Sequence, residues 1–470
     1  MKFCELDQIY CSKICLGALF VLLVVFVGCQ KSASKLPDLE KLNIVMIVVD
    51  TLGAEHIGSY NNKVKHTPNI DRLAKNGVRF SKAFGTAPWT KPTISSMFTS
   101  LMPARHGVQR SRDKLPSKHT TLAEMLKSKG FDTSAIISHV LIGKKYGYAQ
   151  GFKEYLNVNQ KGQVHATITS EVVTDKAVAW LDKRVKEKAQ ANFFLFLHYF
   201  DPHFFYQDHP QFDFTSEYKG ALKAGMNIRK LRAMIPELTA DDIRYLKELY
   251  SEEVAYTDQQ IGRFLARLEQ LNFSENTLVI FLSDHGEEFM RHGWIGHTRT
   301  LHDELIHLPL IFNLPKYLKP RVVDYPVSQI DLVPTLMSML KEPVADPVWE
   351  GTSLVPFLLG QGDSKQKRNI YSEVDFVSTT KLKDAHKTAL IAGDYKLIHD
   401  KPTNTWTLFN RVLDPEELKN LATEKKDVLA QMSKKILAYE QRAAQPDNVK
   451  APEVEINEAE IEQLESLGYM

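Results

Sequence analysis

Three apolar runs in this chain each end on residues able to do chemistry. Ile44-Val45-Met46-Ile47-Val48-Val49 runs into Asp50, Phe193-Phe194-Leu195-Phe196-Leu197 into His198, and Leu278-Val279-Ile280-Phe281-Leu282 into Ser283-Asp284-His285-Gly286-Glu287. Two carboxylates and an imidazole gathered at one sheet edge would make a site for a divalent metal. Asp-His-Gly alone reads equally well as a turn, with Asp as cap and Gly permitting positive φ. The company of Asp50 and of three nearby histidines favours the metal. These are His292, His297 and His302, the first two set beside glycines in Arg291-His292-Gly293-Trp294-Ile295-Gly296-His297. Functional use is expected of His297.

Two further segments carry polar groups in suggestive places. Ala87-Pro88-Trp89-Thr90-Lys91-Pro92-Thr93-Ile94 reads as a turn followed by a helix from about Pro92, a residue suited to a first helical position. Thr90 would stand just before the helix N-terminus, where backbone N–H groups hold phosphate or sulfate oxygens and favour an alkoxide. It would serve as well as a plain N-cap. In His198-Tyr199-Phe200-Asp201-Pro202-His203 a second histidine follows a buried strand. His203 would donate a proton to a leaving group or bind an anion, or simply sit in a loop turned by Pro202.

The elements that must position these residues are legible in outline. Strand-like apolar runs alternate with amphipathic stretches, which predicts an α/β domain with a largely parallel sheet. The β-branched run at 44–49 suits a strand buried on both faces. In open α/β sheets ligands bind beyond the carboxyl ends of the strands, where all three runs deliver their polar residues. Helices are predicted over 69–77, stopped by Gly77, and over 245–271, as one helix or two. The stretch 207–240 is less regular and lid-like. Near residue 345 the pattern changes to short strand-like pieces such as 388–391 and 395–398. A main domain over 43–345 is therefore expected, then a smaller α+β subdomain over 346–470 with a closing helix at 456–469.

The 470 residues are 43% hydrophobic and 25% charged, ordinary for a soluble globular chain. A formal net charge of +2 gives no global field that would draw the chain to nucleic acid. All four cysteines lie at the start, at 4, 11, 15 and 29. This excludes a disulfide framework, a cysteine zinc site and a cysteine nucleophile from the main body. The apolar stretch 16–27 is short for a bilayer span and fits a signal-peptide core. It ends in Phe26-Val27-Gly28-Cys29, which resembles a bacterial lipobox. The expectation is a signal peptide over 1–29, a lipid on Cys29 and a polar tether over 30–42. The domain would then sit outside the cytoplasm, anchored to the outer membrane and facing the periplasm.

Taken in order, the motifs resemble the sulfatase family of the alkaline phosphatase superfamily. Ile47-Val48-Val49-Asp50-Thr51-Leu52, with Ala54, Glu55, His56, Ile57, Gly58 and Tyr60, resembles the family's first metal motif. Thr67-Pro68-Asn69-Ile70-Asp71-Arg72-Leu73-Ala74 resembles the helix that follows it. Thr90-Lys91-Pro92-Thr93 takes the place of Cys/Ser-x-Pro-Ser. Asp201-Pro202-His203, Ser283-Asp284-His285-Gly286-Glu287, Ile330-Asp331-Leu332-Val333-Pro334-Thr335, Tyr395-Lys396-Leu397-Ile398, Leu413-Asp414-Pro415-Glu416 and Leu467-Gly468-Tyr469 continue the pattern. The likeness covers about 43–470.

The resemblance implies an alkaline-phosphatase-like fold, a large mostly parallel sheet with helices on both faces and a smaller C-terminal α+β subdomain. It implies a divalent metal (Ca, Mg, Mn or Zn) on Asp50, Thr90, Asp284 and His285. Thr90 would be the nucleophile, with His203 and His297 acting at the substrate or leaving group. Lys91, His139 and His198 would contact an anionic ester. The departures bear on the substrate. Typical members oxidise Cys or Ser at this position to formylglycine, and Thr90 cannot form that aldehyde. Ile94 replaces the usual Arg. The family's sulfate-contacting Lys and His are here His139 and Leu141, in Ser138-His139-Val140-Leu141-Ile142-Gly143. Gly53 and Glu55 also depart from the first motif. The expectation is a Thr-nucleophile hydrolase or transferase acting on phosphoesters or phosphonoesters. A conventional sulfuric ester hydrolase and a catalytically inactive extracytoplasmic binding protein are the alternatives.

Overall fold

The computed structural model describes residues 42–159, 169–341, 349–377, 384–445 and 450–469. The expected signal peptide with Cys29, and the tether as far as residue 41, lie outside the described residues. In chain order the strands of the first part are β1 (Asn43–Val49), β2 (Val78–Phe84), β3 (Asp132–Ile137), β4 (Glu154–Asn157), β5 (Phe193–Tyr199) and β6 (Thr277–Ser283). A short ribbon follows, β7 (Glu288–Phe289) with β8 (Ile295–Gly296), then β9 (His307–Asn313) and β10 (Arg321–Ser328). Eight of them form one sheet in the order β10-β2-β9-β6-β1-β5-β3-β4. Pairing is parallel except at β9, which runs antiparallel to both β2 and β6. Every residue of β1, β5 and β6 is buried, as expected of central strands covered on both faces.

Helices Pro68–Lys75, Ser170–Lys186 and Ala240–Gln270 pack together on one side of the sheet. Thr90–Thr99, Leu122–Ser128 and Leu332–Met339 gather on the other. The stretch expected as one helix or two is a single helix of 31 residues, opened by a capping box between Thr239 and Asp242. Two features seat helix Pro68–Lys75 against it. Asp258 accepts the N–H groups of Asn69 (3.1 Å) and Ile70 (2.8 Å), so a carboxylate meets the positive helix end. Gly262 supplies the room, since a Cβ there would stand 2.5 Å from Asn69. The stretch 207–227 carries no helix or strand, and the short helix Ile228–Ala233 follows it.

The smaller sheet is an antiparallel meander of β11 (Asn369–Phe376), β12 (Ala385–Ala392), β13 (Tyr395–Asp400) and β14 (Thr405–Asn410). Helix Lys426–Ala443 packs on β12 and β13, and helix Glu458–Ser466 closes the chain. The described residues form one compact unit. No helix among them is long and apolar enough to cross a membrane. Register decides what the sheet edge presents. Val49 pairs with both Tyr199 and Ser283, and Ile137 pairs with His198. Asp50, Asp284, His198 and the turn carrying His139 therefore emerge side by side.

Candidate active site

Asp50 and Asp284 leave adjacent strands at the same level, and both are fully buried. The turns that carry them are tied together. Ser283 Oγ accepts the Leu52 N–H (3.1 Å) and donates to the His285 carbonyl (2.7 Å). Asp284 Oδ1 accepts the N–H groups of Thr51 (3.2 Å) and His285 (2.8 Å). The Gln329 amide donates to the carbonyls of Ser283 (2.9 Å) and Asp284 (2.7 Å), while its oxygen accepts the Thr86 N–H (3.1 Å). One buried side chain thus joins the ends of β2, β6 and β10.

His285 donates Nδ1–H to the Gly286 carbonyl at 2.9 Å, which leaves the lone pair on Nε2. That nitrogen faces Thr90 Oγ1 (3.3 Å), Asp50 Oδ1 (3.4 Å) and Asp284 Oδ2 (3.7 Å). Both carboxylate oxygens of Asp50 and Oδ2 of Asp284 are buried with no hydrogen-bond partner. Carboxylates stripped of water and left unpaired are strongly unfavourable, and a divalent cation among them removes that penalty. The donor atoms of Asp50, Asp284 and His285 lie within 4.8 Å of one another, and oxygen donors with one imidazole suit such an ion. Between the protein groups alone, burial and then Asp284 push the Asp50 carboxyl well up. Burial also raises Asp284, but His285 and His198 outweigh it and hold that carboxyl below the usual range.

Thr90 is the first residue of its helix, which begins two residues earlier than the proline suggested; the extended residue before it is Trp89. Its hydroxyl caps nothing. It points instead to His285 Nε2 and, at 3.4 Å, to the phenol oxygen of Tyr469. Thr93 Oγ1 lies against the carbonyls of Trp89 (3.0 Å) and Thr90 (2.9 Å) and helps hold this first turn. Lys91 is not brought to the centre. One residue further round the helix it points about 100° away, and its buried Nζ donates to the carbonyls of Ser111 (2.8 Å) and Asp113. Lys91, expected to contact the substrate, has its ammonium held by those carbonyls.

His139, His203 and His297 converge on one atom. Their Nε2 nitrogens lie 3.3, 2.9 and 3.2 Å from the Tyr469 phenol oxygen. His139 Nδ1 accepts the Leu141 N–H at 3.0 Å, so its Nε2 carries hydrogen and donates. His203 Nδ1 donates to the Phe204 carbonyl at 3.2 Å, so its Nε2 accepts. His297 Nδ1 pairs with Glu287 Oε1 at 2.8 Å. Burial first, then the neighbouring His285 and His203, push His297 well below its ordinary value. His198 stands apart from this group, its Nε2 3.7 Å from Asp50 Oδ2 and 4.0 Å from Asp284 Oδ2. His292 and His302 lie elsewhere. They stack on each other with centroids 3.5 Å apart and pair with Glu304 and Glu417. Glu287 and Tyr469 stand in motifs of the sequence pattern but have no expected site role there, and Gln329 lies in no motif.

The family model for sulfatases matches residues 42–342, and that for the N-sulphoglucosamine sulphohydrolase C-terminal region matches residues 290–442. The chain is 25% identical over 460 residues to the uncharacterized sulfatase YidJ of Escherichia coli K12, covering 87% of this chain and 89% of that protein. It is 22% identical over 484 residues to an N-acetylglucosamine-6-O-sulfatase of Bacteroides thetaiotaomicron, covering 83% and 84%. Its fold is similar to that of a phosphonate monoester hydrolase of Agrobacterium radiobacter, with TM-score 0.70, 20% identity, and 88% and 100% covered. A buried metal-type cluster at a strand edge, a mixed eight-stranded sheet and a family match over most of the chain agree, and the chain belongs to the sulfatase family.

Proposed function

We propose that the protein is a metal-dependent ester hydrolase or transferase whose nucleophile is Thr90 Oγ, acting on phosphoesters or phosphonoesters in preference to sulfate esters. The observation that carries this reading is the position of Thr90. Its hydroxyl stands 3.3 Å from the His285 lone pair, beside the unpartnered oxygens of Asp50 and Asp284. It also heads a ten-residue helix, whose positive end favours an alkoxide. Asp50, Thr90, Asp284 and His285 would hold the metal, which when bound lowers the pKa of a hydroxyl and draws charge from ester oxygens. His139 offers an N–H to an ester oxygen. His203 would hold the proton that the leaving oxygen takes, and His297, kept neutral by burial, would orient that oxygen.

In the first step the Thr90 alkoxide forms its bond to phosphorus as the bond from phosphorus to the leaving oxygen breaks, and that oxygen departs with a proton from an imidazolium. Water or an alcohol then gives up a proton to the same imidazole, attacks phosphorus and frees the Thr90 oxygen. Attack at phosphorus resolves a phospho-threonine; a sulfo-threonine needs another route. That difference supports phosphorus chemistry. The relatives named as sulfatases support the second reading, a sulfate ester in the same cradle.

A substrate panel separates the readings. Protein lacking residues 1–29 is assayed on nitrophenyl sulfate, phosphate monoester, phosphodiester and phosphonate, with Mg, Ca, Mn and Zn in turn. Metal-dependent release with a higher kcat/KM on the phosphodiester or phosphonate is expected. A preference for sulfate gives the second reading, and ligand binding without turnover makes the chain a binding protein. Lipid on Cys29, and the extracytoplasmic setting it implies, belong to the same proposal. A fatty-acid probe should label wild type but not Cys29→Ala, and equal labelling contradicts the anchor.

A further inference from the structure

The end of the chain occupies the space a substrate needs. Tyr469 is fully buried, and so are Thr90, His139 and His297 around its hydroxyl. The phenol oxygen makes four polar contacts there, at 2.9 to 3.4 Å. It donates its one hydrogen to His203 and accepts from His139. Its ring lies 5.9 Å from that of Trp89 and 5.6 Å from that of His297. An ester poised for attack must bring its reacting atom to about 3 Å from Thr90 Oγ and set its oxygens among the same imidazoles. The phenol and the ester cannot be there together.

The segment that carries the phenol is anchored at a few points: Leu464, Leu467 and Tyr469 enter the core, and Ile461 packs beside them. Helix Glu458–Ser466 buries only Leu464. Its ion pairs, Lys145 with Glu460 and Arg229 with Glu465, join partly exposed side chains, a kind of pair that contributes little. Leu467 is buried, and Gly468 turns the chain inward with φ of 67°.

We propose that the C-terminal tail is an intramolecular ligand of the reaction centre. The Tyr469 phenol marks the seat of an ester oxygen borne on an aromatic group, and the tail withdraws when such an ester binds. This rests on the active-site reading only in taking the face of Thr90 as the place of reaction. Tyr469 is thus a displaceable occupant, and the aryl part of the substrate takes the volume its ring vacates.

Exposure of the histidines tests this whether or not Thr90 is the nucleophile. Whole protein and its Tyr469→Ala and Tyr469→Phe variants are treated with diethyl pyrocarbonate, and modification of His203 and His297 is followed by mass spectrometry. Tyr469→Ala is expected to speed modification at least about tenfold, the factor by which a closed state favoured ten to one hides a site. Added p-cresol, the side chain as a free molecule, should slow it again. Tyr469→Phe keeps the ring packing, guards against a variant that fails to fold, and should fall between. On the best ester of the panel kcat/KM should rise in Tyr469→Ala. Unchanged protection in Tyr469→Ala overturns the proposal, as does exposure that p-cresol leaves unaltered. Loss of turnover in Tyr469→Phe with protection intact also overturns it, since the phenol is then a catalytic group.

Discussion

At the scale of single residues, the site is a matter of which atoms are left without partners. Asp284 shows this best: Oδ1 is committed to two backbone N–H groups, while Oδ2 is buried and unpaired. One oxygen holds the turn, and the other is where the proposed cation would bind. Asp284→Asn keeps an oxygen for the backbone but removes the charge. It should lower bound metal and cut turnover by about a hundredfold or more, with the circular dichroism spectrum unchanged. Full activity at wild-type metal content would contradict the assignment. Asp50, Thr90, Asp284 and His285 were legible because each stands at a strand end or helix start within a short local pattern. Tyr469 was not, because its partners His139 and Thr90 lie 330 and 379 residues away. Lys91 presents the opposite case. It sits inside a motif, but the helix turns it towards the carbonyls of Ser111 and Asp113.

At the scale of elements, the parallel register brings the polar residues to one edge, and Gln329 holds the edge together. Its amide bonds three backbone groups from β6 and from the turn after β2. Gln329→Leu would leave those three groups buried and unpaired, a loss of about 3–9 kcal/mol at 1–3 kcal/mol for each unsatisfied group. Denaturant unfolding should show that loss, and kcat should fall because Asp284 is no longer fixed. A stability within about 0.5 kcal/mol of wild type would contradict this role. The strands and the closing helix were readable from apolar runs and periodicity. The start of helix Thr90–Thr99 was not, since Pro92 suggested a later first turn and the structure begins it at Thr90. The bulk of the stretch 207–240 has no periodicity to read, and its first part folds without helix or strand.

At the scale of the molecule, buried charge joins the small sheet to the large one. Lys396 on β13 is fully buried. It donates to Asp303 at 2.9 Å and to the Leu301 carbonyl at 2.8 Å, and pairs with Glu417 at 2.5 Å. Arg411 also holds Asp303. Burial raises the Asp303 carboxyl, but Arg411 and Lys396 outweigh it and hold it far below the usual range. Lys396→Met would leave two carboxylates short of a partner, a loss of about 3–5 kcal/mol. Both sheets should still unfold in one transition. A depressed carboxyl gives stability that is present above its unfolded pKa and lost as pH falls towards the folded value. The gap in Tm between wild type and Lys396→Met should therefore narrow below about pH 4. A gap that widens there, or two separate transitions at neutral pH, would contradict this account. The smaller sheet was visible in the sequence as a change of pattern near residue 345; the ion cluster that fastens it, built from distant residues, was not.

The central claim is that Thr90 forms the covalent bond, and trapping that bond tests it most directly. Protein turning over a phosphodiester is quenched in acid and its peptides are weighed. The account predicts a phosphoryl adduct on Thr90, absent in Thr90→Ala, which should lose nearly all turnover, while Thr90→Ser keeps part of it. Thr93, Ser95 and Ser96 share the helix and serve as internal controls. An adduct only on Thr93, or full activity in Thr90→Ala, would contradict the mechanism.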